Sequence, residues 1–162
     1  MRKLVIMLAG VAALAIDASA QAADAKRTLP YFASMSAGRA RLRTGPARSY
    51  PSSWLYQRAG LPVKIVAVFK EWRKIEDPDG TQGWMQANLL SETRTAMVQG
   101  TRPIEMRERP SSAARLMWRA APGVVGRLSQ CADDWCRFDV KGQAAYVERA
   151  GIWGVGAGET LP

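Results

Sequence analysis

The sequence contains no histidine and only two cysteines. Nucleophile pairs of the Ser–His and Cys–His type are therefore excluded. Two thiols without an imidazole would leave a tetrahedral zinc site half empty, so we expect no metal ion and no cofactor. Several carboxylates occur in predicted turns, where they usually bond local backbone; these are Asp77, Asp79, Asp133 and Asp134. The composition favours a non-enzymatic protein and leaves a two-carboxylate hydrolase as the weaker alternative.

Long apolar runs are also missing, apart from one at the N-terminus. Residues 4–16 form that run, which Arg2 and Lys3 precede and the small residues Ala18-Ser19-Ala20 follow. The run is shorter than the roughly 20 apolar residues that cross a bilayer, which favours a cleaved export signal over residues 1–20. An uncleaved helix is the alternative. We expect an exported chain, periplasmic or associated with the cell envelope, with no integral membrane segment after cleavage.

Acidic residues are scarce relative to basic ones, with 14 against 23 and a net charge of +9. Cleavage would remove two positive charges and one negative charge, which leaves +8. Such a charge favours anionic partners such as wall polymers or lipid head groups. Nucleic acid is a poor candidate for an exported protein, and we expect none. Because the arginines are scattered along the chain, the alternative interpretation is a generally basic surface without a specific role.

Short β-strands, rather than helices, account for the rest of the chain. "RARLRT" alternates its side chains, "LPVKIVAVFKEWRKI" is rich in β-branched residues, and Asp79-Gly80 marks a hairpin turn. "GWMQANLL" reads as a strand that runs into a tight turn, in which "QANLL" could form one turn of 3-10 helix. No window has a long helical period with caps at both ends. The pattern predicts an all-β protein.

The chain repeats itself at an offset of 63 to 64 residues. "LRTGP" aligns with "MRERP", "EWRKI" with "DWCRF", and "DGTQGWMQANLL" with "KGQAAYVERAGIW". Each copy has about 60 residues and about five short strands, which can close into a small barrel that leaves few exposed edges. We therefore predict a lead-in over residues 21–32, one domain over 33–98, a second over 99–156 and a floppy tail over 157–162.

These motifs resemble tandem bacterial SH3-like (SH3b) domain proteins of the cell envelope. The resemblance covers residues 33–156 and rests on "RLRTGPARSYP", "GLPVKIV", "EWRKI" and "DGTQGW" in their order and spacing. It implies two tandem small SH3-like β-barrels and a non-enzymatic binding or adaptor function. Two departures stand out: Arg41 occupies a position that is often asparagine, and the second copy has Ala145-Tyr146 in place of Gly83-Trp84.

The resemblance implies recognition of peptidoglycan or its peptides, and the first copy, which keeps the Gly-Trp pair, is the expected binder. The expected contacts are aromatic rings and guanidinium groups in and after its long first loop. The candidate ligand-binding residues are Arg43, Arg48, Tyr50, Trp54, Tyr56 and Trp72. The alternative is a periplasmic scaffold that docks on an envelope enzyme or sensor through a strand edge or an aromatic surface.

Four further residues have expected structural roles. We expect Gly83 to let the backbone approach a neighbour closely and Trp84 to cover the core. Tyr146 replaces that tryptophan in the second copy. Trp72 and Trp135 stand beside predicted hairpin ends, where half-exposed rings could stack on a ligand or cover the seam between the barrels.

Cys131 and Cys136 are the only cysteines, and four residues separate them. An even number of cysteines in an exported chain favours a disulfide. If the intervening residues form a hairpin loop, the two side chains lie directly opposite each other across the strands. A redox dithiol is less consistent with this spacing, because it is not Cys-x-x-Cys.

Overall fold

The computed structural model of the protein describes residues 27–162. The predicted signal peptide and the first part of the lead-in lie outside these residues and stay predictions. The first seven strands are β1 (Tyr31–Met35), β2 (Ala40–Arg43), β3 (Ser52–Tyr56), β4 (Pro62–Phe69), β5 (Trp72–Glu76), β6 (Gln82–Gln86) and β7 (Leu90–Ser91). The other seven are β8 (Thr95–Val98), β9 (Ile104–Arg107), β10 (Leu116–Ala120), β11 (Val125–Ala132), β12 (Trp135–Val140), β13 (Gln143–Glu148) and β14 (Ile152–Trp153). Within the described part, no helix has the length and apolarity to cross a bilayer.

The strands form two antiparallel sheets with the same internal order. The first sheet runs β3-β2-β6-β5-β4-β1-β7, and the second runs β10-β9-β13-β12-β11-β8-β14. Each strand of the first sheet thus has its counterpart seven strands later, which confirms the tandem repeat and the all-β fold. Each copy has seven strands where the sequence predicted about five, because two-residue strands such as β7 are too short to show an alternating pattern.

The boundary between the sheets differs from the boundary predicted at residues 98 and 99. β8 (Thr95–Val98) pairs with β11 and β14 in the second sheet, while β7 (Leu90–Ser91) pairs with β1 in the first. The chain therefore passes from one sheet to the other between Ser91 and Thr95. β8 opens its copy as β1 opens the first copy.

Alternating inward residues of each sheet fill a separate apolar core. The fully buried side chains of the first core include Met35, Leu42, Ile65, Ile75 and Met85. The second core is built around Met106, Phe138 and Val147, among others. The expected 3-10 turn is present at Ala87–Leu89 and recurs at Arg149–Gly151. Both turns follow the last long strand of their copy.

Gly83 has the close backbone approach that the sequence predicted. A Cβ atom at this position would lie 2.5 Å from Cγ of Leu42 and 2.9 Å from the carbonyl oxygen of Arg43. No real side chain tolerates such contacts without a shift of strand β2. Glycine therefore lets β6 lie against β2, where the sheet is held by a single register pair, Arg43 with Trp84.

The disulfide between Cys131 and Cys136 is present, and their Cα atoms are 4.1 Å apart. The two residues are direct partners across strands β11 and β12, as predicted. The corresponding partners in the first copy are Val68 and Arg73. There, a guanidinium nitrogen of Arg73 donates to the carbonyl oxygens of Lys70 (2.7 Å) and Trp72 (3.0 Å). The same hairpin is thus secured covalently in one copy and by hydrogen bonds in the other.

The C-terminal residues are docked, which corrects the expectation of a floppy tail. Leu161 exchanges backbone hydrogen bonds with Cys131, and the carboxylate of Glu159 pairs with Arg94. The Arg94 guanidinium also lies over the ring of Phe32 from the first copy, 5.7 Å from its centre. Phe32 in turn meets Trp153 of the second copy edge to face at 5.1 Å. The tail and the linker therefore take part in the contact between the two copies.

Candidate binding cleft of the first copy

A cleft of about 450 Å³ opens in the first copy between its first loop and the tip of the β4–β5 hairpin. The loop contributes residues 46–48, the hairpin contributes 69–72, and Gln86 closes the end of the cleft. The loop reaches this place because the sharp bend at Gly45 and Pro46 follows strand β2. The ring of Tyr50 packs where a Cβ atom on Gly45 would lie, 2.5 Å away, which leaves room only for glycine.

The charge of this cleft is mainly positive. Arg48 and Lys70 are both exposed lining residues, and neither has an ion pair within residues 27–162. The Lys70 ammonium lies 5.7 Å from the centre of the Phe69 ring, which is itself 48% exposed. Glu71 is the one acidic lining residue. An aromatic face beside unpaired cations suits a ligand that combines a carboxylate with an apolar group.

Of the predicted ligand residues, Arg48 and Trp72 line this cleft. Trp72 is only 4% exposed, so it offers no open stacking face, and the expectation of a half-exposed ring is wrong for this residue. Phe69 and Lys70 were missed from the sequence. Their signal was weak: Lys70 begins the turn after an apolar strand and adopts a positive φ of 50°, which does not by itself indicate a site.

Arg43 has a structural contact that the sequence did not reveal. Its guanidinium donates to the carbonyl oxygen of Tyr50 at 2.7 Å and so closes the first loop. Arg107 does the same in the second copy, donating to the carbonyl oxygen of Ala114 at 2.7 Å. Both bonds span seven residues. The arginine shared by "LRTGP" and "MRERP" therefore fixes the loop in both copies.

The three aromatic residues of the predicted groove differ in exposure, so they do not form one open surface. Tyr50 and Trp54 are exposed to 45% and 58%. Tyr56 is only 7% exposed, because it packs against the first core and its hydroxyl donates to the Asp77 carboxylate at 2.8 Å. Tyr56 is thus not available as a ring for stacking on a ligand.

Trp84 lies on the outer face of strand β6. The expectation that it covers the core is therefore wrong. Trp84 is half-buried, while its neighbours Gly83 and Met85 point inward. Tyr146 is its counterpart in the second copy: Trp84 is the register partner of Arg43, and Tyr146 that of Arg107. Trp135 is half-buried, as expected.

The second copy has a corresponding cleft of about 640 Å³ with a different charge. Ser112 stands where the repeat puts Arg48, and Asp134 and Glu148 take the places of Glu71 and Gln86. Arg149 also lines this cleft, but its guanidinium donates to the carbonyl oxygens of Asp133, Gly156 and Glu159. Because the two carboxylates of this cleft outnumber its one arginine, only the cleft of the first copy is positively charged.

The strand order and the two clefts define a protein built from tandem small β-barrels with ligand-sized surface clefts. A model of the bacterial SH3 domain family matches residues 36–92 and 101–154. The chain therefore belongs to this family and carries two copies of its domain in tandem.

Comparisons with other proteins add only distant similarities. A search of the curated proteins gives no match. Among solved structures, NlpC2 from Trichomonas vaginalis is 10% identical, with a TM-score of 0.34 and coverage of 79% of this chain and 49% of that one. NlpC1 from the same organism is also 10% identical, with a TM-score of 0.34 and coverage of 78% and 46%. This chain spans about half the length of those structures.

Proposed function

We propose that the protein is an exported, non-enzymatic binding module of the cell envelope whose first copy recognises peptidoglycan. Bacterial SH3 domains commonly bind cell-wall material and are themselves non-catalytic. The observation that carries the proposal is the cleft of about 450 Å³ that Arg48, Phe69 and Lys70 line together. Neither Arg48 nor Lys70 forms an ion pair with a carboxylate of residues 27–162, so both charges are available to a ligand. Peptide stems of the wall offer the carboxylates and small apolar side chains that such a cleft suits.

The lining residues would contact different parts of the ligand. The planar fork of Arg48 can hold a carboxylate with two parallel hydrogen bonds, which a lysine cannot do with the same geometry. Phe69 offers an exposed ring for a methyl group or a sugar face. Tyr50 and Trp54 lie exposed on the same copy and could extend the contact surface, whereas Tyr56 and Trp72 support the barrel.

The test is co-sedimentation of the purified protein with peptidoglycan sacculi at high ionic strength. At 1 M salt the Debye length is only about 3 Å, so general attraction of a basic protein is suppressed. We expect Arg48→Ala and Phe69→Ala each to reduce retention roughly tenfold, which is the loss of about 1.4 kcal/mol of binding free energy.

Arg41→Ala is the matched control, because it removes the same charge from an exposed position outside the cleft. It should retain the wild-type level of binding. Equal losses of retention for Arg41→Ala and Arg48→Ala would show that retention depends on net charge and not on the cleft. If the wild-type protein is not retained, the proposal is wrong. Arg43 and Trp72 are unsuitable test positions, since Arg43 closes the first loop and Trp72 is buried.

A further inference from the structure

The outer edge of strand β3 (Ser52–Tyr56) is open. β3 is the first strand in the sheet order and pairs only with β2, so no strand within residues 27–162 covers its other side. Exposed edge strands are usually protected by charges, prolines or bulges that turn the edge away. The strand itself, "SSWLY", contains no charged residue and no proline, and its first three residues are exposed. One bulge interrupts its register with β2, at Ser53, and the strand pairs regularly on the Trp54–Tyr56 side of it. Backbone donors and acceptors are thus available along a five-residue strand.

The chain segment that carries this edge is basic, and the acidic residues Asp77 and Asp79 lie only near its Tyr56 end. No aspartate or glutamate occurs between Asp24 and Glu71, a stretch that holds nine arginines and lysines. Arg39 precedes β2, Arg41 lies within it and Arg58 follows β3; all three are exposed, and the Arg58 guanidinium donates to the carbonyl oxygen of Gly123 at 3.5 Å. None of the three forms an ion pair with a carboxylate of residues 27–162. Their charge is therefore not neutralised within the described part of the chain.

The second copy provides an internal comparison, because its β9–β10 hairpin has the same position in the fold. There Arg107 and Arg119 both pair with Glu105, and Arg115 pairs with Glu108. At the offset of the repeat, Arg41 and Thr44 stand where the second copy has these two glutamates. Two glutamates offset most of the arginine charge in the hairpin of the second copy, and the same hairpin of the first copy has no such carboxylate.

The tryptophan at this position of the edge strand also differs between the copies, in its exposure to solvent. Trp54 is 58% exposed and is not among the side chains packed on the first core. Its counterpart Trp118 is half-buried and packs against the second core. An exposed indole on an open strand is the kind of residue that covers an apolar side chain of a partner.

We propose that the edge of β3 binds an extended, acidic segment of another polypeptide by strand addition. Backbone hydrogen bonds along β3 would supply the affinity, Arg39, Arg41 and Arg58 would face the carboxylates, and Trp54 would cover an apolar side chain of the segment. A polypeptide fits this surface better than a glycan or a lipid, because it alone presents N–H and C=O groups at the spacing of a β ladder. The inference does not depend on the proposed wall-binding cleft.

The experiment uses a blocked nine-residue peptide that alternates glutamate with valine and threonine. Two control peptides carry lysine in place of glutamate, or proline at the centre. Amide hydrogen exchange by NMR reads out each strand separately, with β10 as the internal reference. We expect the acidic peptide to slow exchange in β3 at least tenfold and to leave β10 unchanged, and the lysine and proline peptides to have no effect.

Variants separate this site from the cleft. Arg41→Glu should weaken binding of the acidic peptide at least tenfold, while Arg48→Ala should leave it unchanged. Equal binding of the proline peptide would overturn the proposal, because a strand ladder would then not be involved. Loss of peptide binding in Arg48→Ala, or perturbation of β3 by wall fragments or anionic vesicles but not by the acidic peptide, would also overturn it.

Discussion

At the scale of single residues, Tyr56 and Asp77 form the most constrained polar contact of the first copy. The Tyr56 hydroxyl donates to one oxygen of the Asp77 carboxylate at 2.8 Å. The other oxygen accepts from the backbone N–H groups of Asp79 (3.1 Å) and Thr81 (2.8 Å) and so holds the β5–β6 turn. Burial, and then the hydrogen bond to Asp77, raise the pKa of Tyr56 well above its usual range. The phenol therefore stays a donor throughout the physiological range.

We predict that Tyr56→Phe lowers the free energy of unfolding by about 1–2 kcal/mol, because a buried carboxylate loses one of its donors. Urea denaturation measures the change. Tyr50→Phe is the matched control, because the Tyr50 ring is 45% exposed. Loss of this hydroxyl should change the free energy of unfolding by less than about 0.5 kcal/mol. Similar effects of the two substitutions would contradict a special role for the Tyr56–Asp77 bond.

At the scale of elements, the hairpin next to each cleft is secured by different chemistry in the two copies. The β11–β12 hairpin carries the disulfide between Cys131 and Cys136. The β4–β5 hairpin relies on Arg73, whose guanidinium donates to two carbonyl oxygens at its turn. Both devices hold the tip of the hairpin, and in the first copy this tip carries Phe69 and Lys70 into the cleft.

Removal of the disulfide by Cys131→Ala with Cys136→Ala should lower the free energy of unfolding by about 2 kcal/mol, the value that chain entropy gives for so short a loop. Chemical denaturation of the oxidised wild type and of the double variant checks this value. The effect should be local to the second copy, so amide exchange in the β4–β5 hairpin should not change. Faster exchange in both hairpins would show that the copies unfold as one unit.

At the scale of the whole molecule, Arg94 connects the linker, the first copy and the C-terminal tail. It lies over the Phe32 ring, donates to the carbonyl oxygen of Gly154 at 2.8 Å and pairs with Glu159. Burial alone would raise the pKa of Glu159. Hydrogen bonds from Arg94 and Gly156 and the charges of Arg94 and Arg149 outweigh burial, so that the pKa lies below its ordinary value of 4.5.

A lowered carboxyl pKa gives a defined pH dependence. The stabilisation by Glu159 is fully present above its unfolded pKa of about 4.5 and is lost as the pH falls through the lower folded pKa. We predict that Glu159→Gln lowers the free energy of unfolding by on the order of 1 kcal/mol at pH 7, and that the difference from wild type shrinks as the solution is acidified to about pH 3.

The control for this prediction is Glu71→Gln, since Glu71 is exposed and forms no ion pair within residues 27–162. Unfolding curves recorded from pH 7 to about pH 3 compare both variants with the wild type. A difference for Glu159→Gln that persists unchanged at low pH would assign the effect to packing of the tail and not to the charge of Glu159.

The sequence by itself determined the tandem repeat, the all-β class, the 3-10 turn of the first copy, the disulfide and the close approach at Gly83. All of these follow from spacing along the chain, because strand alternation and hairpin length act between near neighbours. The order of strands in each sheet, and the transfer of β8 to the second sheet, required the tertiary structure.

The tertiary structure also decided which candidate residues reach solvent. Alternation gives only the face of a strand; whether a side chain on that face is covered depends on segments distant in sequence. Tyr56 and Trp54 lie two residues apart on the same face of β3, yet Tyr56 packs on the core and Trp54 is exposed to solvent. The cleft of Arg48 and Phe69 and the docked tail likewise arise from contacts between segments far apart in the chain.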